Sequence, residues 1–232
     1  MSSKPKHIGI AAASAPGTAL CYQTITKEGP ALCGAHNHPE ISIHNHPLKL
    51  YKEAFDRNDW HRVGGLLLDS AERLKRAGAN FVLCPANTPH QGLDLVRDQS
   101  PLPWLHIVEA VADEAARCGY KKLGITGTKY LMDGPVYPAK LKARGIEAVV
   151  PPLEQRIAMD NNIFAELVYF NFLPETKKFY HDVFRDLASE GCDAIVMACT
   201  EIPLLMGDEK AALPLLDSTV LQARAALRAA VS

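Results

Sequence analysis

One stretch of this chain recurs, degraded, in its second half. Gly78-Ala79-Asn80-Phe81-Val82-Leu83-Cys84-Pro85-Ala86-Asn87-Thr88 lies over Gly191-Cys192-Asp193-Ala194-Ile195-Val196-Met197-Ala198-Cys199-Thr200-Glu201. Each copy reads helix end, glycine, apolar strand, then a small polar cluster. His7-Ile8-Gly9-Ile10-Ala11 and Lys122-Leu123-Gly124-Ile125-Thr126 form a second pair at a nearly identical offset. A chain repeated in this way folds as two similar halves. If the halves face each other, the two strand ends meet across a cleft, where one offers Cys199 and the other Ala86.

The 232 residues, 47% of them hydrophobic, suit one large domain or two small ones with ample core. A formal net charge of -1 removes the electrostatic case for nucleic acid or an anionic membrane as partner. No apolar run approaches the roughly 20 residues that span a bilayer. Met1-Ser2-Ser3-Lys4-Pro5-Lys6 lacks the apolar stretch of a signal peptide. Six scattered cysteines, four in or beside apolar segments, do not resemble a disulfide framework. A reduced, cytoplasmic protein is expected.

Strand-length apolar runs are His7–Ala12, Glu40–His44, Asn80–Cys84, Trp104–Ile107, Lys122–Thr126, Ile146–Val150, Asp193–Ala198 and Leu213–Leu216. Amphipathic helical patterns lie between them, including Asp69–Arg76, Leu131–Arg144, Asn161–Phe170 and Lys177–Glu190. Gly78, Gly119, Gly145 and Gly191 each follow a helical pattern and precede a strand. Strands apolar on both faces and separated by helices imply α/β architecture with parallel sheets covered on two sides. The expected organisation is two pseudo-symmetric domains, each a mostly parallel four-stranded sheet flanked by helices. Residues 1–103 plus 207–232 form the first and 104–206 the second. The last strand and helix, Leu213 to Ser232, are expected to cross back to the first half.

Ligands of open α/β sheets collect beyond the carboxyl ends of the strands. The repeat places Asn87, Thr88 and His90 there in one half, and Cys199, Thr200 and Glu201 in the other. Asn and Thr side chains, with the N–H groups of a helix start, suit a carboxylate. A helix N-terminus also lowers a thiol from its usual ~8.5, so Cys199 reads as a base or nucleophile. A lone cysteine is otherwise a buried, inert small hydrophobe; the repeat and the flanking Thr200-Glu201 argue for function.

Cys199-Thr200-Glu201, Asn87-Thr88-Pro89-His90, and Gly127-Thr128 followed by Met132 and Tyr137 resemble the aspartate/glutamate racemase family over almost the whole chain. The resemblance implies an active site between two pseudo-symmetric domains and cofactor-independent racemization. One cysteine removes the α-proton and a second reprotonates from the opposite face. The second cysteine of that pair matches Cys199, but the first falls on Ala86, which has no proton to give. Thr88 and His90 stand nearby as alternative acids, and Cys84 reads as core. Ser14 or Thr18, in a first loop less glycine-rich than the family's, can donate to a carboxylate or cap a helix. Asp217-Ser218-Thr219 resembles the closing motif and reads as a helix cap; Gln222 stands where a histidine is often found.

His36, His38, His44 and His46 form two His-x-His pairs, with Glu40 and Cys33 near but no carboxylate or cysteine completing a site. No metal is therefore expected here, the resemblance implies no cofactor, and the stretch reads as a polar loop from which Asn45, His46 or Lys49 reaches substrate. The expected partner is a small amino acid or carboxylate, and the expected assembly a homodimer. The first functional reading is an amino-acid racemase or epimerase using Cys199. The alternatives are an arylmalonate-type decarboxylase with a single cysteine, or a degenerate homologue that binds a small carboxylate.

Overall fold

Ile8–Ala12, Phe81–Leu83 and Ala194–Met197 are buried along their full lengths, and Lys122–Thr126 from its second residue on. Only strands covered on both faces bury this way, so these four form the sheet centres. The computed structural model describes residues 4–232, and the chain divides into two units, one up to Ala110 with Thr219–Ser232, the other Val111–Ser218. In chain order the first holds β1 (Ile8–Ala12), α1 (Ala15–Glu28), α2 (Pro30–Cys33), β2 (Ile41–Asn45), α3 (Leu48–Asp56), α4 (Trp60–Arg76), β3 (Phe81–Leu83), α5 (His90–Val96) and β4 (Trp104–Leu105). Helix α6 (Ile107–Cys118) spans the division. The second holds β5 (Lys122–Thr126), α7 (Lys129–Met132), α8 (Val136–Lys142), β6 (Glu147–Val149), α9 (Leu153–Ala165), α10 (Pro174–Ser189), β7 (Ala194–Met197), α11 (Glu201–Met206) and β8 (Leu215–Asp217). Helix α12 (Ser218–Val231) then enters the first unit.

The sheets have the same order, β2-β1-β3-β4 and β6-β5-β7-β8, with every pairing parallel. The repeat extends to packing. A Cβ on Gly9 would lie 2.8 Å from Val82 Cγ1 and 3.2 Å from Leu74 Cβ; one on Gly124 would lie 2.9 Å from both Ile195 Cδ1 and Leu187 Cδ1. Val82 and Leu74 occupy the repeat positions of Ile195 and Leu187. The missing side chain lets a helix seat at the same point on each sheet. In the first unit Ile8, Ile10, Phe81 and Leu83 pack against Cys21, Ile25 and the alanine-rich face of α12. In the second, Ile195 and Met197 pack against Tyr180, Val183, Phe184 and Leu187 of α10.

Several expectations are corrected. The strand near Leu213–Leu216 does not cross back: β8 pairs with β7, Ile195 opposite Leu215, and only α12 joins the first unit. Trp104–Leu105 closes the first sheet beside β3 instead of opening the second half. Strand partners far apart in the chain leave no mark on local pattern, so both divisions were misplaced. The helix expected over Leu131–Arg144 is two, because Pro135 has no N–H to continue the first. The one expected over Asn161–Phe170 begins at Leu153 and ends at Ala165, followed by a 3₁₀ turn closed by Phe170 in the left-handed region. Helix α1 escapes the apolar periodicity because its buried face includes Gly17, Thr18, Cys21 and Thr24. Among the described residues, no helix is long and apolar enough to cross a membrane.

Candidate active site

The end of β7 gathers the candidate polar groups of the second unit. After Met197 the Ala198 N–H donates to Thr126 O at 2.8 Å, which extends the pairing with β5 and fixes where Cys199 emerges. Cys199 is 8% exposed and packs with the core around Met197 and Ile202. Its thiol donates to Glu201 Oε2 at 3.0 Å, and the Thr200 hydroxyl donates to the same oxygen at 2.7 Å. Glu201 is itself buried. Burial first, and the adjacent Glu201 carboxylate second, hold the Cys199 thiol well above the ordinary cysteine range.

This overturns the expected lowering by a helix N-terminus. A terminus contributes about 0.3–1 kcal/mol, less than one pKa unit, whereas full burial moves a group by up to ~3–5 units. At neutral pH Cys199 is a protonated thiol aimed at a carboxylate. Glu201, which the repeat places among the polar residues at the strand end, has its Oε2 shared by the thiol and the Thr200 hydroxyl. Tyr180, fully buried beside these two residues, has a phenol pushed up by burial and then by the Cys199 and Glu201 charges. No sequence pattern marked it.

The corresponding end of β3 is built differently. From Phe81 to His90 every residue is buried except Ala86, which is half-buried. Cys84 is fully buried, its thiol donating weakly to Ala86 O at 3.8 Å and pushed up to about 12 by desolvation. It is core, as read. His90 is also fully buried. Its Nδ1 lies 2.9 Å from Ala86 O, and its Nε2 accepts from the Ile107 N–H at 3.3 Å. A carbonyl at one nitrogen and an N–H at the other fix the neutral Nδ1–H tautomer. Burial, and then neighbouring His106, depress its pKa well below the usual imidazole range. Both nitrogens are committed, so His90 clamps the Ala86 turn and has no proton for a substrate. His106, its ring 4.4 Å from that of His90, was not singled out in the sequence. Asn87 and Thr88 are buried in the same turn.

The remaining candidates sit at element ends. Ser14 is the N-cap of α1 without a side-chain cap bond, and its carbonyl accepts the Thr18 hydroxyl at 2.7 Å. The Thr18 proton is thereby committed to the first turn. Ser218 does not simply cap α12: its hydroxyl donates to Met197 O at 3.0 Å, holding the end of β7. Gln222, fully buried, donates to Leu105 O at 2.9 Å. Lys49, read as reaching substrate from the polar loop, lies 3.7 Å from Glu53 with its side chain 81% exposed.

With this geometry in hand, comparison with known proteins is informative. The profile of the family described as Asp/Glu/Hydantoin racemase matches residues 10–226, and the chain belongs to that family. The broad specificity amino-acid racemase RacX of Bacillus subtilis is 25% identical over 94% of this chain and 95% of its own length. The crystal structure of a candidate Asp/Glu racemase from Yersinia pestis is similar with a TM-score of 0.88 and 29% identity, covering 98% of this chain and 100% of that one. An aspartate racemase homologue from Pyrococcus horikoshii has a TM-score of 0.82 and 28% identity, with 98% and 100% covered.

Proposed function

We propose that the protein racemizes or epimerizes an amino acid without a cofactor, with Cys199 as one acid/base. The observation that carries this reading is the buried hydrogen bond from the Cys199 thiol to Glu201. An α-proton is weakly acidic, so its removal needs a base created at the moment of reaction inside a dry site. Proton transfer from Cys199 to Glu201 creates that base: the S–H bond breaks, an O–H bond forms, and the thiolate takes the α-proton. The substrate carboxylate, which accumulates charge as the α-carbon loses its proton, is proposed to be held by Asn87, the Thr200 hydroxyl being committed to Glu201 Oε2. Of the two groups named as alternative acids, His90 has both nitrogens committed, and nearby Cys84 is sealed in core. This leaves Thr88.

The half-buried methyl of Ala86 also favours a second reading, in which one thiol protonates an enediolate after decarboxylation and no second donor is needed. Incubation in D₂O with a panel of enantiopure amino acids and arylmalonates, followed by NMR, tests both. Racemization predicts α-deuterium in both enantiomers of at least one amino acid. Label confined to a decarboxylated product supports the second reading, and no label anywhere refutes catalysis.

A further inference from the structure

His44 closes β2 one residue before its end and His46 lies just beyond it, so alternation along the strand sets both on one face. The structure brings Asp69 of α4 to that face, from an element with no local tie to the histidine pair. One ligating atom from each of His44, His46 and Asp69 lies within 4.8 Å of the other two, and all three residues are half-buried. The two imidazole rings meet at right angles, their centroids 4.7 Å apart.

The hydrogen bonds around this trio fix its chemistry. The Ser70 hydroxyl donates to Leu66 O at 3.0 Å, which uses its single proton. It can therefore only accept from His44 Nδ1, 3.0 Å away. His44 is thus the Nδ1–H tautomer, with a bare lone pair on Nε2, as a metal-ligating imidazole oriented by an outer-shell hydroxyl has. His46 Nε2 is sealed from solvent, 3.0 Å from Asp69 Oδ2 yet outside hydrogen-bond geometry. The Arg73 Nε–H donates to Asp69 Oδ2 at 2.9 Å.

We propose that His44, His46 and Asp69 bind a divalent transition ion of the zinc class, bridging edge strand β2 to α4 with water as the fourth ligand. Zinc bonds of about 2.0–2.1 Å to nitrogen and oxygen set tetrahedral ligands roughly 3.4 Å apart. Closing the trio therefore takes side-chain shifts of about 1 Å. Imidazole and carboxylate suit zinc, cobalt and nickel better than calcium or magnesium, which prefer oxygen alone. The Arg73 guanidinium weakens the site without blocking it, since a carboxylate has a second oxygen for the ion. This site does not depend on the racemase reading.

The untagged full chain, stripped with chelator, is titrated with Co²⁺ followed by visible absorption and with Zn²⁺ followed by calorimetry. One equivalent is expected, with d–d bands of a four-coordinate site and no thiolate-to-cobalt charge transfer. His44→Ala and His46→Ala lose more than ~100-fold in affinity. Ser70→Ala, which removes only the orienting hydroxyl, loses about 10–100-fold and keeps the stoichiometry. At a hundredfold excess over Kd, Zn²⁺ raises the Tm of the native chain by about 5–10 °C, and that of His46→Ala not at all. Circular dichroism establishes that each variant is folded. No saturable binding by the native chain, a thiolate charge-transfer band, or unchanged affinity in folded His44→Ala and His46→Ala overturns the proposal.

Discussion

The ends of β7 and β3 are the same place in two copies of one repeat, and they have been finished for different tasks. At β7 a thiol lies against a buried carboxylate, with a threonine hydroxyl on the same oxygen. At β3 the aligned side chain is a methyl, and the polar machinery turns away from it: His90 holds the Ala86 carbonyl and accepts from the Ile107 N–H. Packing below is conserved between the copies, down to a glycine beneath each seated helix. Packing constrains a duplicated half through its core, whereas the residues at a strand end are free to diverge once one copy carries the chemistry. One end holds a thiol against a carboxylate, and the other a turn tied down by His90.

The largest test of this difference is Cys199→Ser. Loss of a general acid/base costs about 10²–10⁴-fold, so α-proton exchange in D₂O should fall by that factor while circular dichroism stays native. Serine is the better probe because Cys199 is packed in the core cluster, and truncation to alanine would confound lost chemistry with a cavity. Exchange at the native rate in Cys199→Ser would mean that the thiol is only core.

Ala86→Cys attacks the comparison from the other side. It gives the β3 end the thiol that its partner in the repeat has, at a residue half-buried where its neighbours are sealed. Two-way racemization should rise by about 10²-fold, the low side of what a general acid supplies. An unchanged rate in an active protein would assign the second proton to a group already in place, Thr88 first.

Gly9→Ala and Gly124→Ala ask whether the copies are as alike in packing as they are unlike in chemistry. Each added Cβ approaches side chains at under 3.0 Å, so each substitution should cost about 1–3 kcal/mol by overpacking. Urea unfolding should show two similar losses. A large loss at one glycine and none at the other would end the equivalence.

The smallest effect is a slope with pH. His90 has a depressed folded pKa, so below its unfolded value near 6.5 the unfolded chain binds a proton that the folded chain refuses. Stability from this group is fully present above about pH 6.5 and declines as pH falls toward the folded pKa, by at most ~1.4 kcal/mol per unit. That corresponds to roughly 3–5 °C in Tm per unit. His90→Gln should flatten this part of the profile between pH 6.5 and 5, and an identical slope would mean that other groups carry it.

All eight strands were legible from sequence because strand-length apolar runs between helical patterns are local signals, and the run over Lys122–Thr126 was placed to the residue. Periodicity also gave the α/β class, and the internal repeat gave two matching four-stranded sheets with Ala86 in the slot of Cys199. What sequence could not decide were properties of neighbours distant in the chain. The pairing of β8 with β7 is a hydrogen-bond ladder between segments whose local patterns do not name each other. The direction of the Cys199 pKa shift depends on burial outweighing a helix terminus. His90 was read as an acid until the fold brought the Ile107 N–H to its second nitrogen, and His44 and His46 lacked a carboxylate until α4 supplied Asp69. Residue type and spacing determine which groups are present and which face of a local element they share. Their protonation and partners are set by desolvation and by hydrogen bonds a few ångströms long, and those exist only once the tertiary structure has closed.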